Sequence, residues 1–232
     1  YGFLALPVVD DQDRLLGIIT VDDVIEIIED EATEDILKYA GTSDDELDHY
    51  EDSAIVSLFY SVRARLPWLI ITIFGGMLSA YIISNFETAL AADQAIALFM
   101  PLLAGMGGNV GTQSSTLTVR NIAMNQVAER GVFRTLFHEI GVGFMVGLVC
   151  SLLVAGMSYA MKGRMMLSVI VGISMWANIL TAATIGTIVP LIFKRIGVDP
   201  AVASAPFITT TIDITGLTIY FTLATIMMQH LL

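Results

Sequence analysis

Apolar and polar positions divide the chain into a mixed N-terminal arm and a series of long apolar runs. The runs lie at roughly 67–85, 95–120, 136–160, 165–193 and 200–230. About 20 helical residues cross the hydrocarbon core of a bilayer, so each run predicts a membrane-spanning helix. We therefore expect a mostly α-helical protein whose residues 66–232 form a transmembrane domain of five helices.

The N-terminal arm has the alternation and turn signals of a small α/β unit. The stretches "FLALPVV" (3–9) and "RLLGIIT" (14–20) predict two strands around a polar turn. A chain of 30 residues or so rarely buries a core alone. Residues 1–30 therefore look like part of a larger domain, and we expect the chain to be the C-terminal part of a longer protein.

Two helical patterns connect this unit to the first apolar run. The first continues from Val21 to Tyr39, with Thr20 as its N-cap and Gly41 as its end. The second leads from residue 53 to residue 65. We treat residues 31–65 as a connecting segment.

Composition and charge support this division. The chain is 55% hydrophobic and 15% charged, with a mean hydropathy of +0.75, which is typical of membrane proteins. Residues 1–60 carry 17 of the 23 acidic residues and two of the 11 basic ones. Such an acidic arm excludes nucleic acid as a partner and suits cations. The single cysteine, Cys150, excludes a disulfide or a cysteine-based metal site within one chain.

The basic residues of the loops predict the orientation in the membrane. If the acidic arm is cytoplasmic, the outer loops carry Lys162 and Arg164 only. The inner loops then carry Arg63, Arg65, Arg120, Arg130, Arg134, Lys194 and Arg195. This excess inside agrees with the positive-inside rule and places the C-terminus outside. Five spans cannot form two equal inverted halves, so we expect a homodimer to supply the symmetry.

The acidic arm concentrates its carboxylates on one helical segment. Several pairs, such as Asp22–Glu26 and Glu31–Asp35, are four residues apart, where like charges destabilise a helix. One interpretation is a solvated face. The other is a face that binds hard divalent cations, which take oxygen ligands.

Asp213 is the acidic residue that lies deep inside an apolar run. A carboxylate at that depth is costly and indicates a functional site, unless it is merely protonated or bonded to another helix. Oxygen-bearing or small neighbours surround it in the sequence, namely Thr209, Thr210, Thr211, Thr215, Gly216 and Thr218. The other acidic residues beyond residue 60 are expected in loops or at span boundaries, namely Glu87, Asp93, Glu129, Glu139 and Asp199.

The stretch "PLLAGMGGNVGTQSSTLTVRN" (101–121) carries four glycines and several amides and hydroxyls inside an apolar run. We expect the glycines to bend or open the helix and to free carbonyls between Gly105 and Gly111. With Asn109, Thr112 and Gln113, these oxygens would suit a hydrated Mg²⁺. The alternative is that the glycines serve helix packing alone, as we expect for Gly143-x-x-x-Gly147.

Three stretches together resemble the MgtE family of magnesium transporters. They are the 101–120 stretch, "GVDPAVASAPFITTTIDITGLTIYF" (197–221), and "GIITVDD" (17–23) before an acidic helix. The last resembles the end of a CBS domain. The resemblance covers essentially the whole chain, although the family's N-terminal domain and about one and a half CBS domains have no counterpart here.

The resemblance implies a homodimeric Mg²⁺ channel in a bacterial plasma membrane, surrounded by lipid. It implies a pore carboxylate at Asp213, and an ion path along Gly108, Asn109, Thr112, Thr209 and Gly216. It implies regulatory Mg²⁺ at Glu26, Glu31, Glu34 and Asp35. At the CBS segment it implies a nucleotide such as ATP near Thr20 and Asp23, for which helix capping alone is the other interpretation.

Two other functions are weighed against a channel. A proton- or Na⁺-coupled carrier of divalent metals would use Asp213 as a titrating group. A membrane enzyme is disfavoured, because no nucleophile–base pair or second buried carboxylate appears. His138–Glu139 resembles the start of a zinc-protease motif, but residue 142 is not a histidine. Selectivity among Mg²⁺, Mn²⁺, Co²⁺ and Ni²⁺ stays open.

Overall fold

The computed structural model describes residues 2–43, 49, 53–127 and 131–229. Glu129 and Arg130 of the predicted inner loop, and the end of the fifth apolar run at residue 230, lie outside the described residues. Among the described residues, five helices are long and apolar enough to cross a membrane.

The N-terminal arm begins with a two-stranded antiparallel sheet. Strand β1 (Ala5–Val9) pairs with β2 (Leu15–Thr20), and Asp10 holds the turn between them by accepting hydrogen bonds from Gln12 and Arg14. Most side chains of both strands are exposed, including large apolar ones. The predicted order of strand, turn and strand is therefore present, without a core of its own.

Helix α1 (Val21–Ala40) follows directly, and its two ends are those that the sequence predicts. Thr20 caps the first turn, and Gly41 ends the helix with a φ of 81°, a left-handed conformation that favours glycine. The Thr20 and Asp23 side chains form a capping box, which satisfies main-chain N–H groups that the first turn leaves free.

The membrane region contains helices α2 (Ala54–Ser84), α3 (Glu87–Ala92), α4 (Met100–Ala123), α5 (Val132–Lys162), α6 (Met165–Arg195) and α7 (Ala205–Gln229). Short 3₁₀ helices precede α4 (Gln94–Phe99) and α7 (Pro200–Val202). The second helical pattern of the arm and the first apolar run form one helix, α2, which continues through Pro67.

The expectation that glycines open the helix in the 101–121 stretch is wrong. Helix α4 is unbroken from Met100 to Ala123. Gly107, Gly108 and Gly111 instead allow close contact with neighbouring helices, whereas a Cβ on Gly105 would meet nothing within 4 Å. A Cβ on Gly111 would overlap Ile212 of α7, and a Cβ on Gly186 of α6 would overlap the main chain of Gly111. The packing alternative is therefore the one that the structure bears out for these positions.

Helix α6 lies at the centre of the membrane region and packs against α4, α5 and α7. A Cβ on Gly143 of α5 would overlap Ala183 of α6, and one on Gly147 would be in tight contact with Trp176 at 3.1 Å, which agrees with their predicted packing role. Helix α2, by contrast, buries only Gly75 and Ser79, and contacts α7 where Gly75 meets Thr210. Most of its large apolar side chains are exposed, as expected for a lipid-facing or subunit-facing helix.

Candidate functional site

Helices α4 and α7 carry the residues predicted to bind an ion, and the two helices lie side by side. A Cβ on Gly108 would stand 3.4 Å from the Thr209 methyl group, so the two positions are in direct contact. At 3.6 residues per turn, Gly108, Asn109 and Thr112 share one face of α4, and Thr209 and Asp213 share one face of α7. Gly108 is buried, whereas Asn109 is exposed.

The threonine hydroxyls near this contact donate their hydrogens within their own helices. Thr112 donates to the carbonyls of Gly108 and Asn109, each at 3.0 Å, and Thr209 donates to Pro206 at 3.1 Å. Thr211, Thr215 and Thr218 bond backwards along α7 in the same way. Because the hydrogens are occupied, the hydroxyl oxygens present lone pairs only. The faces therefore offer acceptors, which are the groups that a hard cation requires.

Asp213 lies near the middle of α7 and is half-buried. No hydrogen bond or ion pair joins its carboxylate to any other residue in the described part of the chain. A carboxylate at this depth without a partner is costly to keep charged. A bound cation would remove this cost.

Gly216, one α-helical turn beyond Asp213, is buried against a different helix. A Cβ at Gly216 would overlap the amide of Asn178 on α6. Its packing partner is therefore Asn178, while its place along an ion path stays a prediction. Sequence reasoning missed Asn178, although an amide inside an apolar span is itself a signal of a specific interaction.

The acidic helix α1 docks by its C-terminal end onto α2, α4 and α7. The Tyr39 hydroxyl donates a hydrogen bond of 2.8 Å to the Thr112 carbonyl of α4. Gly41 packs against Pro206 of α7 and Trp68 of α2, with no space for a side chain. The end of α1 therefore contacts both helices of the candidate ion path.

An acidic cavity of about 510 Å³ lies between α1 and the turn before α7. Glu31, Asp35, Lys38 and Asp199 contribute its charged side chains. Lys38 Nζ bridges Glu34 of its own helix and Asp199, at 3.0 Å from Asp199 Oδ2. A fourth carboxylate, that of Asp199, thus lies near the predicted residues Glu31, Glu34 and Asp35. Sequence reasoning placed Asp199 at a span boundary. Glu26 is exposed and does not line this cavity.

The charges of this cavity perturb one another. Burial raises the pKa of Asp35, and the nearby carboxylate of Asp199 raises it further, while Lys38 opposes the shift. The hydrogen bond to Glu34 raises the pKa of Lys38, so this ammonium stays charged. Lys38 pairs with Glu34 and Asp199. The other two carboxylates, Glu31 and Asp35, therefore have no ammonium of their own in the cavity.

Thr20 and Asp23 hold each other in the capping box. Thr20 N–H and the Thr20 hydroxyl each donate to Asp23 Oδ2 at 2.7 Å. The hydrogen bond from the Thr20 main chain lowers the pKa of Asp23. These contacts give the pair a structural role, and nucleotide binding by the same residues stays a prediction.

Glu139, which the sequence places at the inner loop or its edge, is a buried carboxylate of helix α5. Helix α5 begins at Val132, so residue 139 lies about two turns inside it and is only 7% exposed. Ser114 of α4 donates to its Oε2 at 3.2 Å, and His138 Nδ1 lies 3.4 Å from Oε1. In the described part of the chain, no cluster of three or more His, Cys, Asp or Glu residues has metal-binding geometry.

Comparison with known proteins gives two family matches. Residues 100–223 match the MgtE family model, described as a divalent cation transporter, and residues 1–30 match the CBS domain model. The first match includes α4, α5, α6 and most of α7. It therefore contains both helices of the candidate ion path.

Three curated relatives are similar over nearly the whole chain. The magnesium transporter MgtE of Bacillus subtilis is 40% identical over 231 residues, which are 100% of this chain and 50% of the relative. That of Thermus thermophilus is 40% identical over 229 residues, 99% of this chain and 50% of the relative. That of Enterococcus faecalis is 36% identical over 230 residues, which are 99% of this chain and 49% of the relative. The chain thus spans about half the length of these relatives.

Proposed function

The chain belongs to the MgtE family of divalent cation transporters, and on that premise we propose that it conducts Mg²⁺ across the membrane along a pathway lined by α4 and α7. Asp213 is the charged ligand of the pathway. Gly108, Asn109, Thr112, Thr209 and Gly216 lie along it. The observation that carries this proposal is the unpaired Asp213 carboxylate on a helix whose hydroxyls present acceptor oxygens.

Mg²⁺ gives up its water reluctantly, so the cation passes Asp213 with most of its first hydration shell. The carboxylate and the hydroxyl oxygens then accept hydrogen bonds from bound water rather than replacing all of it. Two unit charges about 5 Å apart attract by about 3 kcal/mol at an effective dielectric of 20. A divalent cation doubles this attraction at each carboxylate, which favours it over a monovalent cation.

We place two copies of the chain around the pathway. One Asp213 supplies one negative charge. A two-fold axis between the α7 helices of two subunits brings two copies of Asp213, and so two negative charges, to one Mg²⁺. The exposed apolar surface of α2 provides area for both lipid and a partner subunit. The acidic arm is cytoplasmic and the C-terminus outside, in the plasma membrane of a bacterium.

Cytosolic Mg²⁺ regulates this channel at the acidic cavity. Glu31, Glu34 and Asp35 of α1, with Glu26 one turn or more away, supply the negative charge, and Asp199 supplies the membrane-side carboxylate. A cation that neutralises both sides holds the end of α1 against α4 and α7, which closes the pathway. ATP at Thr20 and Asp23 belongs to the CBS domain of a longer protein.

The test is Mg²⁺ flux into liposomes containing the purified chain and its Asp213→Asn variant. The amide keeps the shape of the side chain and removes its charge, so we expect flux to fall by at least about tenfold with normal protein yield. Glu87→Gln removes an exposed carboxylate beyond the outer end of α2 and serves as the matched control. Normal flux through Asp213→Asn would exclude Asp213 from the pathway.

Single-channel recording separates a channel from the proton- or Na⁺-coupled carrier. A channel gives resolvable unitary currents in a planar bilayer, whereas a carrier turns over too slowly for them. A flux that stops when the proton or Na⁺ gradient is removed would contradict the channel and favour the carrier.

A further inference from the structure

Asn178 joins the central helix α6 to the helix that carries the first half of the candidate ion path. The residue is 1% exposed. Its Nδ2 donates a hydrogen bond of 2.6 Å to the carbonyl oxygen of Leu103 on α4. A Cβ on Gly107 of α4 would lie only 2.7 Å from the same Nδ2, so α4 can approach the amide only because residue 107 is glycine.

The opposite side of the same amide faces α7. Asn178 Oδ1 is buried and accepts no conventional hydrogen bond. It points at Gly216, where a Cβ would overlap it. The α-hydrogen that Gly216 carries in that direction therefore faces the oxygen, as in a weak C–H···O hydrogen bond. One side chain thus contacts α4 through its nitrogen and α7 through its oxygen.

We infer that Asn178 is a positioning residue that fixes the spacing between α4 and α7, and through it the geometry of the ion path. This inference rests on the proposed function. Asp213 lies three residues before Gly216, and Gly108 lies next to Gly107. If the separation of α4 and α7 changes at Asn178, the distance between the faces that contact the ion therefore changes with it.

The chemistry of the amide explains why an apolar residue does not serve at this position. Leucine would fill a similar volume, but it would offer no donor to the Leu103 carbonyl and no acceptor to Gly216. Branched methyl groups would also stand where the flat amide now lies between two glycines. Either effect moves α4 and α7 apart, because close packing at a helix crossing depends on a few tenths of an ångström.

The first test is the Asn178→Leu variant, assayed for Mg²⁺ flux in liposomes as a function of Mg²⁺ concentration. We expect the concentration giving half-maximal flux to rise at least about fivefold, since the ion-binding faces no longer stand at their native distance. Ser174→Ala is the matched control. It removes a buried hydroxyl of α6 that has no hydrogen-bond partner, one turn from Asn178, and should leave the concentration dependence unchanged.

The concentration dependence separates positioning from simple stabilisation. A purely structural role would lower the yield or the melting temperature of Asn178→Leu, yet the folded fraction would bind Mg²⁺ normally. An unchanged half-maximal concentration in folded Asn178→Leu protein therefore overturns the inference. A normal Asp213→Asn variant would instead overturn the proposed ion path, so the two failures are distinguishable.

The second test uses the steric contact between Asn178 and Gly216. It tests the positioning role of Asn178 even if Asn178→Leu does not fold. Gly216→Ala alone introduces a methyl group that collides with the amide, and we expect its flux to fall strongly. Asn178→Ala removes the amide, so the double variant has room for the methyl group. We expect the double variant to recover at least about tenfold in flux over Gly216→Ala. Strictly additive losses would overturn the inference.

Discussion

The hydroxyl of Tyr39 donates a 2.8 Å hydrogen bond to the main-chain carbonyl of Thr112. Tyr39 belongs to the acidic helix α1, and Thr112 lies one turn beyond Gly108 on α4. The same carbonyl also accepts a hydrogen bond from the Thr116 hydroxyl. A movement of α1 that breaks the Tyr39 contact therefore changes the hydrogen bonding of the helix that we propose to line the ion path.

Removing this hydroxyl should favour the undocked position of α1. A hydrogen bond of this kind contributes about 1 kcal/mol, which corresponds to a roughly fivefold change in an equilibrium constant. We expect Tyr39→Phe to need about fivefold more cytosolic Mg²⁺ for inhibition of current in membrane patches. Tyr81→Phe removes a hydroxyl from an exposed residue of α2 and should not change inhibition. Equal Mg²⁺ inhibition in Tyr39→Phe and the parent would contradict a role for this contact in gating.

Sequence patterns predicted the elements whose signals are local. The bounds of α1 follow from a capping residue, Thr20, and a left-handed glycine, Gly41, both of which act within one turn of the helix. The apolar helices follow from length and hydropathy, and five such helices are present among the residues that the structure describes. These features need no knowledge of what lies beside them.

The sequence could not predict which neighbour each polar or small residue meets. Gly107 and Gly111 are compatible with an opened helix or with close packing, and the position of Ile212 decides for packing at both. The position of Glu139 in the sequence suggests a span boundary. The sequence does not reveal that Ser114 of α4 faces the Glu139 carboxylate. Asp199 likewise joins the acidic cavity through the tertiary docking of α1.

The ammonium of Lys38 should allow α1 to dock in part without a divalent cation. Its ammonium bridges Glu34 and Asp199 across the interface. In Lys38→Met we expect docking without Mg²⁺ to weaken, and added Mg²⁺ to restore it, because the cation can neutralise the same carboxylates.

Distance measurements between spin labels can follow this docking. One label is placed on α1 and the other on the Pro200–Val202 turn, after Cys150 has been replaced by serine. An Arg14→Met variant, which loses a basic residue of the exposed β-turn, is the control. A Lys38→Met protein that docks fully without Mg²⁺ would contradict the bridging role.

Acid should favour the docked position of α1 through Asp35. Docking raises the pKa of Asp35 above its ordinary value of 3.8, so the docked state prefers the protonated carboxyl. This contribution is fully present below pH 3.8 and is lost as the pH rises through the raised pKa of the docked state. In Mg²⁺-free buffer, we expect label distances between α1 and the Pro200–Val202 turn to shorten as the pH falls through that window. Asp35→Asn should remove most of this dependence, and an unaltered pH profile in that variant would assign it to another group.

Glu139 provides the sharpest contrast with Asp213, because both carboxylates lie within membrane helices but on different sides of α4. At 3.6 residues per turn, Ser114, which binds Glu139, lies on the face of α4 roughly opposite Gly108 and Thr112. Glu139 is therefore remote from the proposed ion path. We expect Glu139→Gln to keep the hydrogen bond to Ser114, to conduct Mg²⁺ normally in liposomes and to unfold at an equal or higher temperature. Ser114→Ala leaves the buried carboxylate with one donor fewer and should destabilise the protein by about 1–3 kcal/mol. A loss of Mg²⁺ flux in well-folded Glu139→Gln, comparable to that of Asp213→Asn, would place a second carboxylate in transport and would require a pathway different from the one lined by Gly108, Thr112 and Asp213.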